Sequence, residues 1–230
     1  MKPIYEPKGK AKEYGDLALN IYTGCPHRCW YCFAPSVLRK DKEAFWGNVE
    51  PRDNIVWWTA KQLNDERITG KTIHLCFTCD PYPTGYDTTT TRQIIQLLKA
   101  SGNHVQILTK GDGRRDFDWL DGDDWYGITV DGSCEADYYY GQFNRLDEAK
   151  GLGIKTWVSF EPVICAENVL DAIRKYHSLI DKAKIGKLNY HQSNIDWGKF
   201  GREVEALCQY YDMNYYIKDS LREEMKGGAE

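Results

Sequence analysis

Cys25, Cys29 and Cys32 stand within eight residues as C-x3-C-x2-C. Thiolates this close along a chain converge on one small metal centre, and soft sulfur donors select zinc or iron–sulfur. A structural zinc site is normally closed by four protein ligands. His27 is a candidate fourth, but between two of the cysteines its ring is cramped. Three thiolates on a [4Fe–4S] cluster instead leave one iron open to a substrate or cofactor.

The elements that must position this loop follow from hydrophobic periodicity. Strand-like runs cover Leu17 to Thr23, Thr72 to Phe77, His104 to Thr109, Tyr126 to Val130 and Lys155 to Phe160, with weaker ones at Lys184 to Tyr190 and Asn214 to Ile217. Helical patterns cover Asp53 to Leu63, Thr89 to Ala100, Gln142 to Lys150, Glu167 to His177 and Lys199 to Tyr211. The run Thr88 to Thr91 reads as a helix start, and the tail Lys226 to Glu230 as frayed. Strands alternating with helices give an α/β fold with a parallel sheet, and about six βα units favour a partial (β/α)6 TIM-like barrel. We expect one domain over 1–230, with the cysteine loop at 24–34 and the last third, 161–230, completing the barrel and its substrate side.

Chemistry in such folds gathers at the C-terminal strand ends. The segments there are Gly24-Cys-Pro-His-Arg-Cys29, Thr78-Cys-Asp-Pro81, Lys110-Gly-Asp112, Asp131-Gly-Ser133, Glu161-Pro162 and His191-Gln-Ser193.

Composition narrows the classes. The chain has 230 residues, enough for a substantial core, and a hydrophobic share of 42% argues against disorder. A net charge of −4 does not advertise non-specific duplex binding. The start lacks the apolar core of a signal peptide and no stretch is long enough to span a bilayer, so a cytoplasmic protein with no membrane partner is expected. There the 8 cysteines read as metal or redox groups rather than a disulfide framework.

Gly24-Cys-Pro-His-Arg-Cys-Trp-Tyr-Cys32 after a first strand, with Tyr31 before the last cysteine, resembles the cluster loop of the radical S-adenosylmethionine (SAM) superfamily. Within it the chain resembles the spore photoproduct lyase-like, or DNA repair photolyase, group. That likeness rests on the lead-in from Lys2 to Gly9, GCPHRCWYCFAP, Thr78-Cys-Asp-Pro-Tyr82, Ile107-Leu-Thr-Lys110, and Arg145-Leu with Gly151-Leu-Gly-Ile154. Together these span about residues 1–160.

The resemblance implies a lyase-like enzyme with a [4Fe–4S] cluster on Cys25, Cys29 and Cys32. SAM would be cleaved reductively to a 5′-deoxyadenosyl radical that abstracts a substrate hydrogen. Tyr31 and Phe33 would pack near adenine, Thr78 and Asp80 would meet the SAM amino group, and Lys110 would reach its carboxylate, with Arg145 a second candidate. Thr129 and Ser159 are candidates for the ribose hydroxyls. Glu161 is a candidate for ribose, the methionyl amine or substrate. The usual S-x-x-T-D-P becomes Cys76-Phe-Thr-Cys79-Asp-Pro, so two thiols replace two hydroxyls, and Cys76 or Cys79 is a candidate hydrogen-atom donor. The implied partners are an electron donor such as flavodoxin or ferredoxin and a nucleotide or nucleic-acid substrate.

Two local patterns get plainer readings. The six aspartates from Asp112 to Asp124 do not match a calcium loop and read as a solvated acidic loop. Cys134, Cys165 and Cys208 are scattered, so one cluster is expected. Negative net charge and the lack of a Lys/Arg stripe in the last third count against DNA itself, although Trp46, Trp57, Trp58, Trp119 and Trp125 are of a type that stacks on bases. A base or nucleotide-like substrate is the first reading. A peptide- or protein-modifying radical enzyme is the alternative, and a non-catalytic zinc or iron–sulfur module the third.

Overall fold

The computed structural model describes residues 2–227; residues 228–230, at the end of the expected frayed tail, lie outside the described residues. Two compact units divide the chain, Met1–Trp125 and Tyr126–Glu230.

In the first unit a short strand β1 (Ile4–Tyr5) pairs antiparallel with β2 (Leu17–Leu19). Two short helices follow, α1 (Ala34–Leu38) and α2 (Lys42–Gly47), then α3 (Ile55–Glu66). Strand β3 (Thr72–Leu75), helix α4 (Thr89–Ala100) and strand β4 (His104–Thr109) complete the unit's regular elements. β2, β3 and β4 run parallel, with Leu19 level with Leu75 and Leu75 with Ile107. α4 folds as it does because Thr91, Ile94, Ile95 and Leu98 form one buried stripe, and Asp87 Oδ1 accepts the Thr89 amide at 2.9 Å where the helix starts. β4 alternates, with Val105, Ile107 and Thr109 buried between half-buried neighbours.

The second unit holds β5 (Trp125–Thr129) from its second residue on, then α5 (Tyr140–Gly151), β6 (Lys155–Val163), α6 (Ala166–Tyr176), β7 (Lys182–Lys187), α7 (Trp197–Tyr210), β8 (Tyr215–Ile217) and α8 (Asp219–Lys226). β6, β7 and β8 are parallel neighbours, with Ser159 level with Lys184 and Lys184 with Tyr216. No helix among the described residues is long and apolar enough to cross a membrane.

Several boundaries differ from the sequence expectation. The first run stops as a strand at Leu19, because the chain turns away to the cysteine loop. The second run ends at Leu75, because Cys76 adopts a left-handed φ of 70°. β6 instead runs on to Val163. α1, α2, α8 and β1 were not anticipated.

The acidic stretch also differs. Asp116 and Asp124 are fully buried rather than solvated. Asp116 accepts from Arg92 Nη1 at 2.8 Å and from the Tyr82 hydroxyl at 3.1 Å. Asp124 accepts from Lys99 Nζ at 2.6 Å and the Val105 amide at 2.7 Å. Buried carboxylates need such partners, so these two are packing residues of α4 and β4. Asp121 and Asp123 stay exposed, with one donor atom each within 4.8 Å of a His104 ring nitrogen, and Lys99 Nζ is 2.8 Å from Asp121.

Candidate functional site

The cysteine loop leaves the C-terminal end of β2 and is fastened to the segment 45–50. The Thr23 amide donates to Glu50 O at 2.9 Å, the Cys25 amide to Phe45 O at 3.1 Å, and Lys40 Nζ to Thr23 O at 2.7 Å. Gly24 is required there: a Cβ at that position would stand 2.2 Å from Phe45 O and 2.6 Å from Asn48 O. Farther along, the Cys32 amide donates to Cys29 O at 3.0 Å, and α1 begins two residues later.

Cys25, Cys29 and Cys32 are free and half-buried. Burial pushes the Cys25 and Cys32 thiols up, and the Asp80 carboxylate adds to the effect at Cys25. Without a cation they keep their protons, which a metal would displace. Sulfurs sharing one zinc stand about 3.8 Å apart given its bond length and tetrahedral geometry. Three free thiols on one anchored loop are a donor set that fits a cluster with one iron left open.

His27 faces Asp80, its Nε2 3.1 Å from Oδ2 and off the line of a full hydrogen bond. Asp80 is buried just after β3 and holds several elements at once. Oδ1 accepts from the Tyr82 amide at 2.8 Å and the Thr109 hydroxyl at 2.5 Å, and Oδ2 from the Lys110 amide at 2.8 Å. Burial opposes its ionisation, but His27, Thr109 and the Lys110 amide together hold its carboxyl below the ordinary range. The Lys110 ammonium lies over the Tyr31 ring, 5.7 Å from its centroid. Tyr31 is half-buried, and Phe33 is 50% exposed. Thus Cys25, His27, Tyr31, Asp80 and Lys110 come together in this unit.

The turn after β3 completes it. Asn20 Oδ1 accepts both the Phe77 amide at 2.8 Å and the Thr78 amide at 2.9 Å. Arg52 Nη2 is 3.5 Å from the Thr78 hydroxyl, while the buried Arg52 Nε has no hydrogen-bond partner. Cys79 Sγ accepts from the Tyr22 amide at 3.4 Å. Burial works against ionising Cys79, yet the Cys76 thiol, the Tyr22 amide and Arg52 keep it below its ordinary value; burial and the Cys79 charge push Cys76 up. Asn20, Tyr22 and Arg52 were not anticipated. Asn20 alone carries a signal, a polar residue inside an apolar run.

The remaining candidates lie in the second unit. Thr129 ends β5 half-buried, and Ser159 is buried on β6, its carbonyl accepting the Val130 amide at 3.0 Å. Glu161 is bound by Lys218 Nζ at 2.6 Å, and Lys218 is itself buried. Register puts Lys184 beside Ser159, and the Lys184 ammonium sits over the Trp157 ring at 5.7 Å. Arg145 is mid-helix in α5, not at a strand end. Cys134, Cys165 and Cys208 are free; Cys208 is buried in α7, which pushes its thiol up to about 12.

No protein-family model and no curated protein matches the chain. Solved structures do. A single-site mutant of spore photoproduct lyase superposes over 92% of this chain and 78% of its own, with a TM-score of 0.66 and 12% identity. A variant of that lyase with bound AdoMet and dinucleoside spore photoproduct matches 90% of this chain and 64% of its own, with a TM-score of 0.60 and 13% identity. SuiB of Streptococcus suis bound to its precursor peptide SuiA matches 94% of this chain at a TM-score of 0.65 and 12% identity. This chain spans about half, 53%, of that SuiB chain. The fold expected from the sequence therefore holds: α/β, a partial barrel of the type seen in spore photoproduct lyase and SuiB.

Proposed function

We propose, on the premise of that fold, that the protein is a radical SAM enzyme acting on a base or nucleotide-like molecule. The observation that carries the reading is the C-x3-C-x2-C loop, free of disulfides and fastened at the end of β2 behind the Asp80–Lys110 junction. A [4Fe–4S] cluster bound there would supply the electron that cleaves SAM reductively to a 5′-deoxyadenosyl radical.

Cys25, Cys29 and Cys32 hold the cluster. Lys110, a cation kept in place by its own amide on Asp80, takes the SAM carboxylate. The Thr78 hydroxyl offers an acceptor to the amine, and Tyr31 and Phe33 flank adenine. Asp80 is better placed as a positioning residue than as a SAM contact, because backbone and side-chain donors already occupy both its oxygens. Thr129 and Ser159 serve ribose, and Glu161, fixed in place by Lys218, serves ribose, the methionyl amine or substrate. Arg145, half-buried mid-helix, is the weaker carboxylate candidate. An electron donor such as flavodoxin or ferredoxin would supply the electron, and free thiols on the cysteine loop suit a reducing cytoplasm.

The test is anaerobic reconstitution with iron and sulfide, then SAM and dithionite. Formation of 5′-deoxyadenosine supports the reading, and its absence from protein with the full cluster absorbance overturns it. Deuterated nucleotides and deuterated peptides then separate substrate classes. Label passing from a nucleotide into 5′-deoxyadenosine or product supports the first, and label passing from a peptide replaces it with a peptide-modifying enzyme.

A further inference from the structure

The turn Cys76-Phe-Thr-Cys79 brings two thiols together where nothing in the proposed SAM chemistry requires a pair. Its geometry is held from three sides. The Cys76 amide donates to Leu19 O at 2.8 Å, and the Asn20 carboxamide gathers the Phe77 and Thr78 amides. Cys79 Sγ takes the Tyr22 amide at 3.4 Å. Cys76 itself sits at a φ of 70°, a region that a residue with a Cβ occupies only when its surroundings fix it. The outcome is a C-x-x-C pair on one tight turn, with the Cys79 sulfur fixed by the Tyr22 amide.

The two sulfurs are not equivalent. Cys76 is buried, whereas Cys79 is half-buried and borders Arg52, whose buried Nε has no partner. A thiol with amide and guanidinium donors around it is the one that ionises and attacks. A second thiol three residues back on the same turn is placed to resolve the product.

We propose that Cys76 and Cys79 form a redox-active dithiol, with Cys79 the attacking and Cys76 the resolving sulfur, oxidised by a low-molecular-weight disulfide such as glutathione disulfide. Cys79 thiolate attacks one glutathione sulfur, forming a mixed disulfide and releasing one glutathione thiolate. Cys76 then gives up its proton and attacks the Cys79 sulfur, forming the Cys76–Cys79 bond and releasing the second glutathione thiolate. Two protein thiols and one glutathione disulfide become one protein disulfide and two glutathiones. Because Tyr22 precedes Cys25 by only three residues, the pair reports redox state directly to the start of the cysteine loop. The proposal does not depend on the SAM reading.

The chain provides a clean readout. Trypsin cleaves after Lys71 and Arg92 and nowhere between, so one peptide carries Cys76 and Cys79 and no other cysteine. Cluster-loaded protein is equilibrated anaerobically in glutathione buffers from reducing to oxidising, alkylated and digested. The expected result is that peptide 72–92 loses two hydrogens and both alkylation sites as the buffer becomes oxidising, and that Cys76→Ser leaves a glutathione adduct on Cys79. Reversal on adding reduced glutathione is expected too. If peptide 72–92 stays doubly alkylated across the range in the wild type, or Cys76→Ser carries no adduct on Cys79, the pair is not a redox couple with these roles.

Discussion

His27 Nε2 and Asp80 Oδ2 stand 3.1 Å apart, so the histidine inside the cysteine spacing is turned to the end of β3. A residue that reads in sequence as a possible fourth ligand is thereby a strut. Asp80 carries the other end of that strut and also secures Thr109 and Lys110.

Asp80→Asn keeps the shape but replaces one acceptor with a donor facing amide or ring donors. The expected loss is about 1–3 kcal/mol of stability by urea unfolding, with a lower iron content after reconstitution. Unchanged stability and iron content would remove Asp80 as the organiser of the loop.

The same carboxyl sets a pH dependence. Its value in the folded chain is held below the ordinary 3.8. Its contribution is therefore fully present above that ordinary value and is lost as pH falls through the lower folded one. The stability gap between wild type and Asp80→Asn should be constant near neutrality and shrink in acid. A gap that widens below pH 4, roughly the unperturbed value for aspartate, contradicts the assignment.

Cys29→Ala should abolish the iron–sulfur absorbance and SAM cleavage together, read by visible spectra and by 5′-deoxyadenosine yield. Cleavage that survives would move the ligand set elsewhere.

Lys110→Ala should weaken SAM binding by about tenfold or more, matching the roughly 1.5 kcal/mol of one hydrogen bond to a charged group. The cluster should load as in wild type, since alanine retains the Lys110 amide that helps hold Asp80. Equal affinity in calorimetry excludes Lys110 from the SAM site.

Asp116→Ala should cost about 2–3 kcal/mol, because Arg92 and the Tyr82 hydroxyl lose a fully buried acceptor. Asp118→Ala removes a more exposed partner of the same Arg92 and should change stability by about 0.5 kcal/mol or less. Similar costs for the two would restore the reading of the stretch as a solvated loop.

Helix α4 and strand β4 were legible to the residue, because their apolar positions repeat cleanly at 3.6 and at 2. The cysteine spacing was equally plain. The helices α1 and α2 were not, since five and six residues are too few for a period to emerge. Nor were the partners of the site. Asn20 meets amides 57 and 58 positions away, a pairing that exists only once β2 and β3 are side by side. Burial of Asp116 and Asp124 likewise depends on Arg92 and Lys99 arriving from α4.

Gly24 lies flat against the carbonyls of Phe45 and Asn48. This divides the chain after the cysteines into a part whose length is free and a part whose length is not. Residues added beside exposed Arg39 would lengthen a surface turn, at the cost of the Lys40 bond to Thr23 O. One residue added between Phe45 and Asn48 would shift those carbonyls out of register with Thr23 and Cys25. Relatives of this protein should therefore vary in length before Asp41 and keep a fixed count from Phe45 to Glu50.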